Sequence, residues 1–192
     1  MRLINSVRSF CVVLTSLFLL LAVAGSSRAG QAAAPASGGA GALQPIRINF
    51  GAFEPYTDPR GNVWAPDTGI EDGNTIDRGD LPIADTDMAP IYRTEHYSMT
   101  RFTQAVPNGD YTVKLHFAET FDGITDKGQR VFSVKIQDKE LKDLDIFAEV
   151  GFGKALIKTF DVSVTNGKMT IIFTPNIENP EINGIEILPA RK

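Results

Sequence analysis

DYTVKLHFA at Asp110–Ala118 decides the fold. In an extended chain successive side chains point to opposite faces, so Tyr111, Val113, Leu115 and Phe117 share one face and Thr112, Lys114, His116 and Ala118 the other. One face is apolar and the other wetter, as in an antiparallel strand packed on one side; on this reading His116 is solvated. Working outward, Ile46, Ile48 and Phe50 alternate in the same way, as do Phe132, Val134 and Ile136 within Val131–Gln137 and Phe160, Val162 and Val164 within Ile157–Thr165. Lys168–Pro175 and Ile182–Leu188 complete the series. Asn166-Gly167 tolerates positive φ at both centres, which predicts a hairpin from Thr165 to Lys168, and Pro180 marks a further break.

After the leader described below, no segment repeats apolar residues at the 3.6-residue helical period over three turns. Short strands parted by turn signals, without a helical layer, predict an all-β fold of two antiparallel sheets packed face to face, in a jelly-roll-like sandwich. Ala52–Pro90 departs from this pattern, with prolines at 55, 59, 66, 82 and 90 and many Gly and Asp residues. It reads as loop, and long loops beside a rigid sandwich are where binding groups collect.

The ends carry other information. Arg2 and Arg8 precede an apolar run from Phe10 to Ala24, followed by the small-residue exit Ser27-Arg28-Ala29, the layout of a secretory signal peptide over residues 1–29. The run is shorter than the roughly 20 residues a membrane span needs. Residues 30–45, GQAAAPASGGAGALQP, lack charge and almost all large apolar side chains, so they read as a flexible linker, with the folded domain over 46–188. Cleavage after Ala29 removes three of the 19 basic residues, none of the 23 acidic ones and the single cysteine, Cys11. The remaining chain is acidic, which disfavours nucleic acid and anionic lipid as partners. It also has no thiol, so its core must be held without disulfides.

The same inventory limits the chemistry. Thiol nucleophiles are excluded, and the two histidines, His96 and His116, do not have metal-site spacing. Glu95, Glu119, Asp122, Glu178 and Glu181 are of the type a glycosidase pairs at about 5 to 10 Å, although a sequence does not give separations. The acids at Glu71-Asp72 and Asp85–Asp87 match no calcium-loop pattern and read as solvated. Tyr56, Trp64, Tyr92, Tyr97, Phe121 and Phe152 fall outside the regular inward positions, several beside acids, as in Glu119-Thr120-Phe121-Asp122 and Glu95-His96-Tyr97. A sugar ring presents an apolar face and a fringe of hydroxyls, so rings beside carboxylates suit it. For Trp64 and Phe152 the expectation is packing rather than binding.

Five segments add a further reading: YRTEHY at Tyr92–Tyr97, LHFAETF at Leu115–Phe121, GQRVFSVKI at Gly128–Ile136, LDIF at Leu144–Phe147 and NPEINGIEIL at Asn179–Leu188. In this order and spacing they resemble the malectin family of carbohydrate-binding β-sandwiches. Ile48–Gly51 and DPRGNVWAPD at Asp58–Asp67 are similar to that family's opening, so the resemblance covers Ile46 to Leu188.

The resemblance implies a sugar pocket formed by Tyr97, Phe121, Asp122 and Glu178, supported by loop residues around Asp67. It also implies departures from the family pattern. A Tyr-Phe pair falls on Phe121 and Asp122, an aspartate before Asn-Pro becomes Glu178, and a tyrosine expected before Leu81-Pro82 has no counterpart in Ile76-Asp77-Arg78-Gly79. The implied protein is secreted or periplasmic and non-catalytic, needs neither cofactor nor metal, and binds a glucose-containing oligo- or polysaccharide. A separately encoded carbohydrate-active enzyme or another secreted protein is the implied class of protein partner. The alternative is a secreted protein-interaction module that keeps the sandwich and has no sugar ligand.

Overall fold

The computed structural model describes residues 43–190. The signal peptide and linker read from the sequence lie outside them, except for Leu43, Gln44 and Pro45. In chain order the elements are β1 (Ile46–Asn49), β2 (Tyr56–Thr57), β3 (Val63–Trp64), β4 (Asn74–Asp77), α1 (Ala89–Arg93), β5 (Thr94–Tyr97), β6 (Arg101–Ala105) and β7 (Gly109–Phe117). They continue with β8 (Val131–Ile136), β9 (Lys139–Leu144), α2 (Ile146–Val150), β10 (Leu156–Val164), β11 (Lys168–Ile177), β12 (Glu181–Ile182) and β13 (Gly184–Pro189).

Two four-stranded antiparallel sheets, ordered β1-β13-β7-β10 and β6-β11-β8-β9, form the all-β sandwich. The alternation that identifies β7 builds its core: Tyr111, Val113, Leu115 and Phe117 join Phe132 and Val134 of β8 and Ile171 and Phe173 of β11 in one cluster. Phe117 and Phe132 meet edge to face at 6.0 Å between ring centroids, linking the sheets. Each such buried ring or branched chain contributes about 1.5–3 kcal/mol relative to exposure. A three-stranded sheet, β12-β5-β4, completes one side.

Three expectations need correction. His116 is fully buried, because the long Pro-rich segment does not stand free of the sandwich. It contributes Trp64 and Met88, which pack with Ile91 and Tyr92 of α1 and with Ala118 in a second apolar cluster over the outer face of β7. Secondly, Asn166-Gly167 does not close a hairpin. β10 pairs with β7 and β11 with β6 and β8, so the turn carries the chain from one sheet to the other. Gly167 has φ +74° but Asn166 is not in the positive-φ region, whereas the tight hairpin turn needs both. The turn is instead tied to the neighbouring crossing by Val106 N donating to Gly167 O at 3.0 Å and Gly167 N to Asn108 Oδ1 at 2.7 Å. Thirdly, Ala52–Pro90 is not all loop, since β2, β3 and β4 fall within it and α1 starts at Ala89; within the quoted motifs, Tyr92 and Arg93 end α1 and Ile146 and Phe147 begin α2. Asp145 caps α2 by accepting from Ala148 N at 2.8 Å.

Candidate functional site

The end sheet places the site. Register pairs Ile76 with Glu95 across β4 and β5, and Glu181 with Tyr97 across β12 and β5. Because directly opposed residues share a face and the strand period is two, Ile76, Glu95, Tyr97 and Glu181 lie on one face and His96 on the other. That first face borders an open cleft of about 220 Å³. Ile76, Arg78, Glu95 and Tyr97 come from β4, β5 and the residue after β4; Phe121 and Arg130 come from the β7–β8 connection; Glu178 and Asn179 come from the link between β11 and β12.

Phe121 remains 40% exposed. Its ring sits so close over Gly123 that a Cβ there would lie 2.5 Å from it, which explains the glycine. The Arg78 guanidinium carbon lies 5.8 Å from the ring centroid, within cation–π range. Glu178 is exposed and has φ +59°, a left-handed conformation uncommon outside glycine that often marks functional loops. Asn179 Nδ2 donates to its Oε1 at 3.0 Å, and Arg130 Nη1 holds the Asn179 carbonyl at 2.6 Å.

Beneath the cleft, three glutamates meet two arginines. Glu95 Oε1 lies 2.8 Å from Arg78 Nη2, and its Oε2 accepts from Thr120 Oγ1 at 2.5 Å. Glu119 Oε2 lies 2.8 Å from Arg130 Nε, and its Oε1 accepts from Phe121 N at 3.0 Å. Glu181 is left over, fully buried with neither carboxyl oxygen hydrogen-bonded. Burial, then the charges of Glu95 and Glu119, push its pKa well above the ordinary range, so it is held neutral. Burial also raises Glu119, partly offset by Arg130. With Glu181 neutral, two arginines balance the two ion-paired glutamates.

The structure thus brings Tyr97, Phe121 and Glu178 together. Asp122 faces away into an adjoining hollow with Ile124, Thr125, Phe147 and Phe152. Asp67 does not line the cleft: it accepts from Gly51 N at 2.8 Å and lies 2.7 Å from His96 Nδ1, on the opposite face of β5. His96 Nε2 donates to the Asp72 carbonyl at 2.8 Å. Both ring nitrogens therefore face acceptors; burial alone would lower the imidazole pKa, but Asp67 and Asp72 outweigh it and raise it. Arg78, Arg130, Ile76 and Asn179 were not singled out by the sequence reading. The signal for Arg130 was its place inside GQRVFSVKI, and for Arg78 its place in the segment where a tyrosine was expected.

A second polar cluster lies under the loop cover. Trp64 is fully buried, and its Nε1 donates to Asp58 Oδ2 at 3.1 Å. The Tyr92 hydroxyl lies 2.8 Å from His116 Nδ1, and burial, then Glu186, raises the phenol pKa, so the hydroxyl stays protonated. His116 Nε2 is then left facing Glu186 Oε1 at 3.4 Å. Glu186 also lies 2.9 Å from Arg47 Nε. Burial alone would raise both acids. Hydrogen bonds from Asn62, Trp64 and Arg60 outweigh it at Asp58, and His116, Lys114 and Arg47 do so at Glu186, leaving each at about 2.

Among the described residues no group of three or more His, Cys, Asp or Glu side chains is placed to hold a metal ion, and no helix is long and apolar enough to cross a membrane.

Fold and site define a class, the antiparallel β-sandwich domain with a cleft of rings, carboxylates and guanidinium groups at one side. Within it, the chain belongs to the malectin domain family, whose model matches residues 45–185. It is 32% identical to malectin of Homo sapiens over 179 residues, 86% of this chain and 60% of that protein. It is 41% identical over 85 residues to a probable leucine-rich repeat receptor-like serine/threonine-protein kinase of Arabidopsis thaliana, 41% of this chain but 8% of the kinase. The chain therefore spans less than two thirds of either relative. Among solved structures it is similar in fold to a β-glucuronidase of Bacteroides uniformis, at TM-score 0.70 and 20% identity over 77% of this chain and 18% of the enzyme. It is also similar to the ANXUR1 extracellular domain of Arabidopsis thaliana, at TM-score 0.67 and 21% identity over 77% of this chain and 48% of that one.

Proposed function

We propose that this is a secreted, non-catalytic carbohydrate-binding domain that takes a glucose-containing oligo- or polysaccharide in the cleft of Tyr97, Phe121 and Glu178. The observation that carries the reading is the convergence of two rings and an exposed carboxylate on one open hollow. A pyranose can lay its C–H face on the Phe121 ring and direct hydroxyls to Glu178, Asn179 and the arginines. The malectin family membership and the leader-like N-terminal sequence support the same reading.

The carboxylates argue for binding rather than hydrolysis. Both oxygens of Glu95 and both of Glu119 already accept bonds within the protein, and Glu181 does not line the cleft. Glu178 is then the one cleft carboxylate free of an internal cation, whereas glycoside hydrolysis uses a matched pair.

Calorimetric titration with gluco-oligosaccharides, comparing wild type with Phe121→Ala, tests the proposal. Removing the ring should weaken binding by about 1 to 3 kcal/mol, or roughly five- to 150-fold. Absence of wild-type binding to any glycan on a broad array would overturn it.

A further inference from the structure

The cleft has a neighbour. Phe121 lines the cleft and the next residue, Asp122, lines a second hollow of about 330 Å³, so the two are separated by one backbone segment whose consecutive Cα atoms lie about 3.8 Å apart. This second hollow is open and mostly apolar. Phe147, from α2, and Phe152, just after it, supply its rings, and Asp122 and Thr125 its polar edge.

Phe152 is fixed relative to Phe121. It forms a parallel bridge with Glu119, and Gly153 N donates to the Glu119 carbonyl at 2.9 Å. The carboxylate of Glu119 in turn accepts from Phe121 N. Both rings are 40% exposed, yet each is anchored by backbone hydrogen bonds around the same residue. A ring held in water by a rigid backbone offers a ready stacking face, with little ordering entropy lost on binding.

We infer that the hollow of Phe147, Phe152, Asp122 and Thr125 is a second saccharide subsite, taking a further pyranose unit of the chain whose neighbouring unit fills the cleft. The inference rests on the sugar reading proposed for that cleft. Its occupant is the continuing oligosaccharide because consecutive residues, Phe121 and Asp122, line the two hollows and each has rings beside a carboxylate. Loss of the ring pair described for the family need not leave a weak site, since the chain regains contact on the far side of Asp122. Such a subsite acts only on ligands long enough to bridge the ridge, where its engagement becomes intramolecular.

The test is an affinity series of α- and β-linked gluco-oligosaccharides of two to six units, measured by calorimetry on wild type, Phe152→Ala and Phe121→Ala, with thermal unfolding as a check on folding. In the expected result, Phe152→Ala folds like wild type and binds the shortest ligands unchanged. It also loses about tenfold on the longer ones, flattening the rise of affinity with length, while Phe121→Ala weakens every length. Equal loss at all lengths, or no loss at any length, overturns the second subsite while leaving the cleft reading intact. A wild-type dimer in sedimentation that Phe152→Ala dissociates would make the hollow a self-association surface and overturn it too. If wild type binds none of the oligomers, the cleft reading fails for this ligand class and the subsite falls with it.

Discussion

The two buried polar clusters differ in how their acids are matched. Under the loop cover, Asp58 and Glu186 have more donors than they need and are pulled down to about 2. Under the cleft, three glutamates share two arginines, and Glu119 and Glu181 are pushed upward. An over-satisfied acid pins structure: Asp58 fastens Trp64, and Glu186 gathers Arg47, Lys114 and His116. An under-satisfied, buried acid beside an open cleft is the arrangement associated with functional sites. Burial is common to both, and the supply of donors separates them.

The largest test of this contrast is Arg130→Ala, which leaves Glu119 buried without its cation. Breaking a buried pair from one side destabilises by about 3–5 kcal/mol, which urea unfolding would register; a loss below about 1 kcal/mol would make the cluster no tighter than a surface pair. Asp58→Ala comes next. It strips acceptors from Trp64 Nε1, Asn62 and Arg60 N, at about 1–3 kcal/mol. Since the folded pKa of about 2 lies below the ordinary 3.8, this stabilisation is present above pH 3.8 and fades as pH falls towards 2. The gap between wild type and variant should close over that window, and a pH-independent gap would contradict the over-satisfied reading.

Glu181→Gln is the smallest effect and the sharpest contrast. The folded state keeps a proton that the unfolded state releases above about 4.5, so wild type loses stability as pH rises from there through the raised folded value. Gln does not titrate. The variant should gain a few degrees in Tm over wild type at pH 7, with the difference vanishing near pH 4.5. An equal difference at both pH values would show that Glu181 is not held neutral.

The sandwich was legible wherever both faces of a strand differ. Tyr111–Phe117 and Phe132–Ile136 announce themselves because their inner residues meet the opposing sheet. β6 and β9 did not, because they are the two edges of their sheet. β9 reads KELKDL, and charge on an edge strand blocks pairing with other chains while hiding the alternation. His116 was misplaced because the wet-looking face of β7 is covered by residues some distance away in sequence, which a strand's own pattern does not reveal. In the site, Tyr97, Phe121 and Glu178 were read from motif residues, while the separation of Asp67 followed from a parity visible only once register was known. It pairs with His96, one residue before Tyr97, and so with the other face.

β13 lies between β1 and β7, and Ile187 pairs with Ile46 on one side and Val113 on the other. The strand that joins β1 to the rest of the sheet is thus the last strand among the described residues. Without it, β1 keeps the parallel bridge of Ile48 to Ala65 but loses its antiparallel neighbour, and β7 has a bare edge, so the sheet closes only once this strand is in place. Pairing between such distant segments also makes folding slow. A truncation just before Gly184 would therefore separate the first strand from the sheet, rather than merely fray an end.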